Sequence, residues 1–231
     1  MQIIYKDKDA VIINKPVGMP SQSDPSGDKD AMTAIAEELK NLGESDGLWL
    51  VHRLDRTVGG LLVFARNKKA AAALSELVSG DGFGKEYLAV CRGESEGGYM
   101  RDLLYKDAAQ GKAFVVERER KGVKSAELIA EKIQAKDTEK GKMTLLSVKL
   151  ITGRFHQIRA QLASRGTPIV GDKKYGDRDR VAKAPALFSH KLSFELFGRR
   201  IEAEIFPEVD AYPWREFCEE IKELEGRDDE K

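Results

Sequence analysis

An aspartate flanked by two arginines is the first candidate for chemistry in this sequence. Asp55 lies between Arg53 and Arg56 in a polar segment that separates two apolar runs. Because an opposite charge within several ångströms favours the ionised form of a carboxyl, we expect a lowered pKa for Asp55. An ionised carboxylate in such a loop can be a nucleophile, a general base or a metal ligand. A surface ion pair that merely organises the loop is the alternative.

A basic cluster follows a glycine later in the chain. Arg154, His156 and Arg159 are spaced by two and three residues, at the start of a helix predicted over residues 155–165. Arginines in the first turn of a helix oppose its positive end, so the helix dipole does not explain them. An anion does, either a phosphate or the Asp55 carboxylate, since Arg binds both through two hydrogen bonds. A solvated basic face is the alternative.

A tyrosine in a strand-like run is the third candidate. Tyr87 lies within residues 86–91, which are apolar and β-forming. An aromatic ring on a strand can be a platform on which a nucleic-acid base stacks. Ordinary core packing is the alternative for a single tyrosine in this position.

Other common kinds of site have no signature in the sequence. His52, His156 and His190 lie far apart with no His-Glu-x-x-His spacing, so we expect no metal. There is no phosphate-binding loop, dinucleotide fingerprint or nucleophile elbow, and we therefore expect no nucleotide cofactor. The two cysteines, Cys91 and Cys218, are too few for a disulfide scaffold.

Length and hydropathy place the chain among globular proteins. Its 231 residues are enough to bury a full hydrophobic core. No apolar run reaches the roughly 18 residues that a membrane-spanning helix needs. The N-terminus also lacks the pattern of a signal peptide. We expect a monomer in the cytoplasm that has no membrane partner.

The charges are balanced overall but unevenly distributed. The sequence has 39 Lys or Arg and 39 Asp or Glu. Residues 140–191 contain 12 basic and 3 acidic side chains, and residues 52–92 contain 7 and 4. Residues 202–231 contain 4 basic and 12 acidic side chains. A local positive face is therefore compatible with zero net charge, because exposed charges are screened within about 10 Å.

The predicted elements are mostly short strands. Strands are predicted at residues 3–5, 11–14, 48–51, 61–65, 86–91, 113–116, 126–130, 143–150, 188–196 and 200–206. Helices are predicted at residues 32–42, 70–78 with Asn67 as cap, 155–165 and 214–225, and a charged turn at 136–142. These elements predict an α+β fold with a mixed, mainly antiparallel central sheet and flanking helices and loops. We expect one domain over residues 1–225 and a disordered tail over 226–231.

Several segments together resemble one known family. The segments are His52-Arg53-Leu54-Asp55 with residues 60–67, Asn14-Lys15-Pro16-Val17-Gly18, Lys85-Glu86-Tyr87-Leu88-Ala89-Val90, Thr152-Gly153-Arg154-Phe155-His156-Gln157-Ile158-Arg159, residues 168–172 with 175–176, and His190-Lys191-Leu192-Ser193-Phe194. In their order along the chain they resemble the motifs of the RluA-type RNA pseudouridine synthases. The resemblance extends from about residue 1 to residue 217.

The resemblance implies an isomerase that converts uridine to pseudouridine in ribosomal or transfer RNA. It implies that Asp55 is the essential carboxylate, that Arg159 pairs with it, and that Tyr87 packs against the target base. The target uridine must leave its stack to reach such a site. The implied substrate-binding residues are Arg53, Arg56, Arg154, His156 and Gln157. The reaction is an internal rearrangement, so the resemblance implies neither cofactor nor metal.

Two departures from the family pattern are visible. Val58-Gly59-Gly60 stands where the family usually has Thr-Ser-Gly, so two hydroxyls near Asp55 are missing. The sequence starts directly at the catalytic region, and we expect no S4-like RNA-binding domain.

Two rival functions are an RNA-binding or ribosome-assembly protein that no longer catalyses and a hydrolase that uses Asp55 as nucleophile.

Overall fold

The computed structural model describes residues 1–45 and 47–228. The strands are β1 (Gln2–Lys6), β2 (Ala10–Lys15), β3 (Trp49–Leu50), β4 (Gly59–Ala65), β5 (Phe83–Arg92), β6 (Gly97–Asp107), β7 (Lys112–Val116), β8 (Val123–Thr138), β9 (Gly141–Leu150), β10 (Leu187–Leu196) and β11 (Arg199–Glu204). The helices are α1 (Ala31–Asn41), α2 (Lys68–Ser79), α3 (Gln157–Ser164) and α4 (Cys218–Asp228), with short 3-10 helices at Lys173–Tyr175 and Trp214–Phe217. The prediction of an α+β fold with a mainly antiparallel sheet is confirmed.

The chain forms two compact units. Unit 1 contains residues 1–85 and 189–205, and unit 2 contains residues 86–188 together with the segment that begins at Phe206. The chain passes from one unit to the other within β5 and within β10. Neither unit is therefore built from one continuous stretch of sequence.

The sheet of unit 1 holds the segment that carries Asp55. Its strand order is β1, β2, β4, β10, with β3 also paired to β4 and β11 paired to β10. Every residue of β4 is buried, which accounts for its continuous apolar sequence. Ile12, Leu61, Val63, Leu74 and Phe194 belong to the hydrophobic core of this unit.

Both helices of unit 1 begin at residues with short polar side chains. Asp30 accepts a hydrogen bond from the backbone N–H of Thr33 at 3.0 Å, at the start of α1. Asn67 accepts one from the N–H of Ala70 at 2.8 Å, at the start of α2. These bonds satisfy amide donors that have no partner inside the helix. The prediction of Asn67 as a cap is confirmed.

The sheet of unit 2 has the strand order β5, β9, β8, β6, β7, and all of these pairings are antiparallel. Helix α3 contributes Ala160 to a small core with Leu104, Ala113, Ala126 and Tyr175. This packing fixes the helix that carries Arg159.

The differences from the prediction in unit 2 include one strand and two boundaries. Strand β6 was not predicted, because Gly97 and Gly98 open it and few of its residues are buried. The turn predicted at residues 136–142 is shorter, since β8 and β9 keep pairing as far as Thr138 and Gly141. Helix α3 begins at Gln157 instead of residue 155, because the residue before it is left-handed.

The C-terminal region is helical to the end of the described chain. A 3-10 turn over Trp214–Phe217 leads into α4, which ends at Asp228. The predicted disordered tail at residues 226–231 thus begins inside α4, and residues 229–231 lie outside the described residues. The tail and the single-domain organisation stay predictions. Among the described residues no helix is both long enough and apolar enough to cross a membrane.

Candidate active site

The segment that carries Asp55 connects β3 to β4 in unit 1. The side chain of Asp55 is half-buried, whereas the neighbouring Arg53 and Arg56 are exposed. The backbone N–H of Val58 donates to the Asp55 carbonyl oxygen at 3.0 Å, which closes a turn around the aspartate. A strand on each side and a turn between them hold the aspartate in one place.

Lys15 is a buried cation at this loop. Its side chain has no exposed surface, and its ammonium lies 3.0 Å from the carbonyl oxygen of Pro16, 2.8 Å from that of Met19 and 3.5 Å from that of Arg56. Burial lowers the pKa of Lys15 to about 8, and the negative charge of Asp55 opposes this shift. The lysine therefore links two loops and supplies positive charge near Asp55. Sequence analysis did not identify it as a site residue, although it lies in the family-like segment over residues 14–18.

Ser21 fixes the residue that precedes Asp55. Its hydroxyl donates to the carbonyl oxygen of Leu54 at 2.9 Å and accepts from the N–H of Leu54 at 3.1 Å. Nearby, the N–H of Gly18 donates to the carbonyl oxygen of Arg56 at 2.8 Å. Backbone groups on both sides of Asp55 are thus bound to the loop that follows β2.

Arg56 is held by the same loop. Its guanidinium donates to the Ser26 hydroxyl at 2.9 Å and forms ion pairs with Asp28 and, at 3.7 Å, with Asp24. Its side chain is 43% exposed, so these ion pairs are screened by solvent. A phosphate contact by Arg56, as the resemblance implies, stays a prediction.

Gly60 is the residue of the Val58-Gly59-Gly60 segment that matches the family pattern. Its backbone has φ +107°, and a Cβ atom at this position would lie 2.2 Å from the carbonyl oxygen of Ser189. Only glycine fits both the conformation and the space. Val58, which replaces a usual threonine, is 2% exposed, so an apolar side chain packs where the family has a hydroxyl.

His52 is a structural residue of this loop. Its Nε2 atom accepts a hydrogen bond from the N–H of Val63 at 3.2 Å. Burial, together with the smaller effect of the charge of Lys85, lowers the pKa of its imidazole to about 3. A neutral ring that accepts a backbone hydrogen bond helps to hold the loop on β4.

In unit 2, Tyr87 lies on β5 opposite Val148 of β9. Its side chain is 6% exposed. The antiparallel pairing of β5 with β9 fixes the position of the tyrosine along the sheet. Its contact with the target base stays a prediction.

Arg159 forms a buried ion pair on α3. Its Nε donates to Oδ2 of Asp172 at 2.7 Å and its Nη2 donates to Oδ1 at 2.9 Å. The centre of its guanidinium lies 5.1 Å from the ring centroid of Tyr175, a distance typical of a cation–π contact. Sequence analysis identified neither Asp172 nor Tyr175 as a partner of Arg159.

His156 lies just before α3 in a left-handed conformation, with φ 52°. Its ring stacks on Phe155 with centroids 3.8 Å apart, and its Nδ1 lies 3.0 Å from the Tyr175 hydroxyl oxygen. The same oxygen accepts the backbone N–H of Ala113 at 2.7 Å. His156 is thus the cap residue that precedes α3 and not part of the helix, which corrects the predicted helix start at residue 155.

Gln157 and Arg154 organise the turn before α3. The Gln157 side-chain oxygen accepts from the Arg154 N–H at 2.9 Å and from the Thr152 hydroxyl at 2.8 Å, and its amide donates to the Glu127 carbonyl at 3.0 Å. Arg154 is exposed, and its Nε donates to the Ser125 carbonyl oxygen at 2.9 Å. Contacts of Gln157 and Arg154 with a substrate stay predictions.

Comparison with known proteins identifies the family. The family model described as RNA pseudouridylate synthase matches residues 9–164. An uncharacterized RNA pseudouridine synthase of Aquifex aeolicus is 33% identical over 182 residues, which are 76% of this chain and 56% of that protein. This chain belongs to the RNA pseudouridylate synthase family. The predicted resemblance to the RluA-type members is confirmed.

A second relative in the family has a more specific name. The ribosomal large subunit pseudouridine synthase C of Haemophilus influenzae is 32% identical over 207 residues, which are 87% of this chain and 61% of that protein. The chain therefore spans less than two thirds of the length of either relative.

A solved structure of the family supports the fold. The human protein named RNA pseudouridylate synthase domain containing 4 has a TM-score of 0.75 and 22% identity, covering 96% of this chain and 93% of that one. At this identity the likeness concerns the fold.

The predicted site residues of this family member are divided between the units. Unit 1 carries the predicted carboxylate Asp55, and unit 2 carries Tyr87 and Arg159. Arg53 and Arg56 flank the carboxylate in unit 1. The substrate residues predicted in unit 2 are Arg154, His156 and Gln157. The pairing of Asp55 with Arg159 stays a prediction.

Proposed function

We propose that this chain isomerises uridine to pseudouridine within RNA, with Asp55 as the essential carboxylate. The observation that carries the proposal is the fixed loop around Asp55, in a chain that belongs to the RNA pseudouridylate synthase family. Lys15 and Ser21 bind backbone groups on both sides of the aspartate. A carboxylate held in this way meets the geometric demand of catalysis, since reacting groups must be positioned before the reaction starts.

The chemistry breaks the bond between C1′ of the ribose and N1 of uracil and forms a bond between C1′ and C5, while C5 loses a proton and N1 gains one. The carboxylate of Asp55 attacks the sugar, attacks the base or removes a sugar proton, and each of these routes starts from the ionised acid. The ammonium of Lys15 supplies positive charge near this carboxylate. Arg159 is proposed to pair with Asp55, and Tyr87 to pack against the base.

The uridine is proposed to flip out of its stack before the reaction, at a cost of a few kcal/mol. Arg53 is the candidate to fill the vacated space, and its exposed side chain is suited to this contact. Arg56 and Arg154 are proposed to bind phosphates, with His156 and Gln157 as further substrate contacts. Such contacts hold the RNA in register without reading its sequence.

Ribosomal RNA is the first substrate to examine, with transfer RNA as the second. The proposal draws on a relative that is named for the ribosomal large subunit. Mapping of pseudouridines in total RNA, from cells with and without the gene, would identify the target nucleotide. We further propose that the protein acts as a monomer in the cytoplasm, which light scattering and cell fractionation would test.

The central test is the substitution Asp55→Asn. We expect loss of pseudouridine formation, while the RNA dissociation constant stays within about tenfold of the wild-type value, or about 1.4 kcal/mol. Asp81→Asn is the matched control, because Asp81 is an exposed aspartate of the same unit. Thermal unfolding of all three proteins separates loss of chemistry from loss of fold.

The outcomes distinguish the proposed function from that of an RNA-binding protein that does not catalyse. A wild-type chain that binds RNA but forms no pseudouridine in any RNA tested would indicate a binding protein without catalysis. An Asp55→Asn protein that converts uridine at the wild-type rate would refute the role of the carboxylate.

A further inference from the structure

We propose that Asp172 is the positioning residue for Arg159, an inference that rests on the proposed function of Arg159. The two carboxylate oxygens accept from Nε and Nη2 of the arginine at 2.7 and 2.9 Å. Two parallel hydrogen bonds to a planar guanidinium fix both its position and the orientation of its plane. The pair does not include Nη1. Because the guanidinium is rigid and planar, fixing Nε and Nη2 also fixes the direction of Nη1.

The pair is shielded from solvent. The side chain of Arg159 is 6% exposed and that of Asp172 is 1% exposed. A buried charge costs much less when its partner is fixed, and losing the partner leaves an uncompensated charge. The two side chains therefore act as one unit. Moving the arginine away from Asp172 would leave a buried charge without its partner.

Asp172 is itself held rigidly by its backbone. Its N–H donates to the carbonyl oxygen of Ile169 at 3.0 Å, and its own carbonyl oxygen accepts from Tyr175 at 3.0 Å and Asp177 at 3.1 Å. The preceding residue, Gly171, has φ +83°, and a Cβ there would lie 2.3 Å from the Ala184 carbonyl oxygen. A tight turn that only glycine allows thus sets where the carboxylate lies.

Tyr175 covers the guanidinium from a second direction. Its ring centroid is 5.1 Å from the centre of the Arg159 guanidinium. Its hydroxyl oxygen is tied to the N–H of Ala113 at 2.7 Å and lies 3.0 Å from Nδ1 of His156. Asp172 and the tyrosine ring together define one position for the Arg159 guanidinium. The residues that define it lie in 169–177 and at the start of α3.

The first experiment is a double-mutant cycle on RNA that carries a mapped target uridine. The proteins are the wild type, Asp172→Asn, Arg159→Ala and the double variant. We expect Asp172→Asn to lower kcat by roughly 100-fold, as misplacement of a catalytic group by about 1 Å does. We expect KM and the RNA dissociation constant to stay within about threefold, and the double variant to be no slower than Arg159→Ala, because nothing remains to be positioned.

Asp102→Asn is the matched control. Asp102 pairs with Arg165, the residue that follows α3, at 2.9 Å. This substitution also removes a carboxylate from an ion pair next to the same helix, and we expect kcat to stay within about twofold of the wild-type value.

A direct measurement does not depend on activity. The Nε–H resonance of Arg159, assigned by its loss in Arg159→Ala, should show slow exchange with solvent in the wild type and fast exchange in Asp172→Asn. If the wild type modifies no RNA, the proposed function fails, and this spectrum still decides whether Asp172 fixes the arginine. An unchanged resonance in Asp172→Asn overturns the positioning role.

A second variant decides the case if Asp172→Asn fails to fold. Asp172→Glu keeps the negative charge and moves the carboxylate by one methylene group. We expect a folded protein with kcat lowered on the order of tenfold. A wild-type kcat in either variant, or effects of Asp172→Asn and Arg159→Ala that multiply in the double variant, would overturn the proposal.

Discussion

The hydroxyl of Ser21 is bound to both backbone groups of Leu54, donating to the carbonyl oxygen at 2.9 Å and accepting from the N–H at 3.1 Å. Ser21 is 5% exposed and Leu54 is 6% exposed. A side chain from one loop thus replaces the backbone partner that a strand would have provided. The residue that follows is Asp55, so the position of the carboxylate depends on this pair of hydrogen bonds.

The first prediction concerns Ser21→Ala. The substitution leaves a buried N–H and a buried carbonyl oxygen without this partner, and we expect unfolding to require about 1–3 kcal/mol less free energy. We also expect kcat to fall, because the backbone before Asp55 is no longer fixed. Urea unfolding and single-turnover kinetics measure the two effects. Ser23→Ala, at an exposed serine, should change neither by a comparable amount, and equal effects of the two substitutions would contradict the assignment.

The second prediction concerns the pH dependence of stability. Burial lowers the pKa of Lys15 to about 8 from its ordinary value of 10.5. Between these pH values the unfolded chain binds more protons at this residue than the folded chain does. The contribution of Lys15 to stability therefore rises with pH from about 8 to 10.5, by a total on the order of 3 kcal/mol. Below pH 8 both states are charged and the contribution is constant.

The measurement is urea unfolding of the wild type and of Lys15→Met between pH 7 and about 10.5. The difference between the two proteins isolates the lysine, because the other titrating groups are common to both. We expect the wild type to gain stability relative to Lys15→Met across this range. A difference that stays constant with pH would show that the lysine keeps its ordinary pKa.

The third prediction compares two glycines with similar backbone angles. Gly60 has φ +107° and Gly98 has φ +102°, but only at Gly60 would a Cβ collide with the backbone, 2.2 Å from the Ser189 carbonyl oxygen. Both alanine variants incur the cost of a left-handed conformation, about 1–2 kcal/mol. Gly60→Ala should cost about 3 kcal/mol or more in total, since the neighbouring strand must also move. Equal unfolding midpoints for the two variants would refute the close approach.

The fourth prediction concerns the salt dependence of RNA binding. If the exposed Arg154 binds one phosphate, Arg154→Gln should weaken binding and reduce the slope of log K against log salt by about 0.7–0.9. Arg200→Gln is the control, because Arg200 is 80% exposed on β11 and pairs with Glu202. Filter binding over a range of salt concentrations gives both slopes. The same slope for the wild type and Arg154→Gln would remove Arg154 from the RNA contact surface.

Local patterns were sufficient to predict most of the elements. The buried strand β4 has an uninterrupted apolar sequence, and Asn67 at the start of α2 provides the expected cap. Strand β6 escaped prediction because its pattern of burial is irregular and two glycines open it. The left-handed His156 also has no local signal, since such a conformation in a non-glycine residue is imposed by its surroundings.

The candidate site was predicted only in part. The residues proposed to touch the substrate lie in motifs that can be read one segment at a time, as Asp55 does. The roles of the residues that hold them could not be predicted in this way, although Asp172 lies in the segment 168–172. Ser21 and Asp172 act on partners that are 33 and 13 residues away. A buried polar partner is chosen by tertiary contacts, and periodicity in the sequence carries no information about that choice.

Unit 1 is completed by residues that come late in the chain. The ribosome makes residues 1–85 first, then the whole of residues 86–188, and only then Ser189, whose hydroxyl donates to the Leu61 carbonyl oxygen on β4. The strand that carries this serine therefore closes on β4 only after the whole of residues 86–188 has been translated. A nascent chain that already displays the Asp55 motif still lacks the neighbour against which Gly60 packs. We therefore expect a chain that ends before Ser189 to lack a complete unit 1, although it already contains the Asp55 motif.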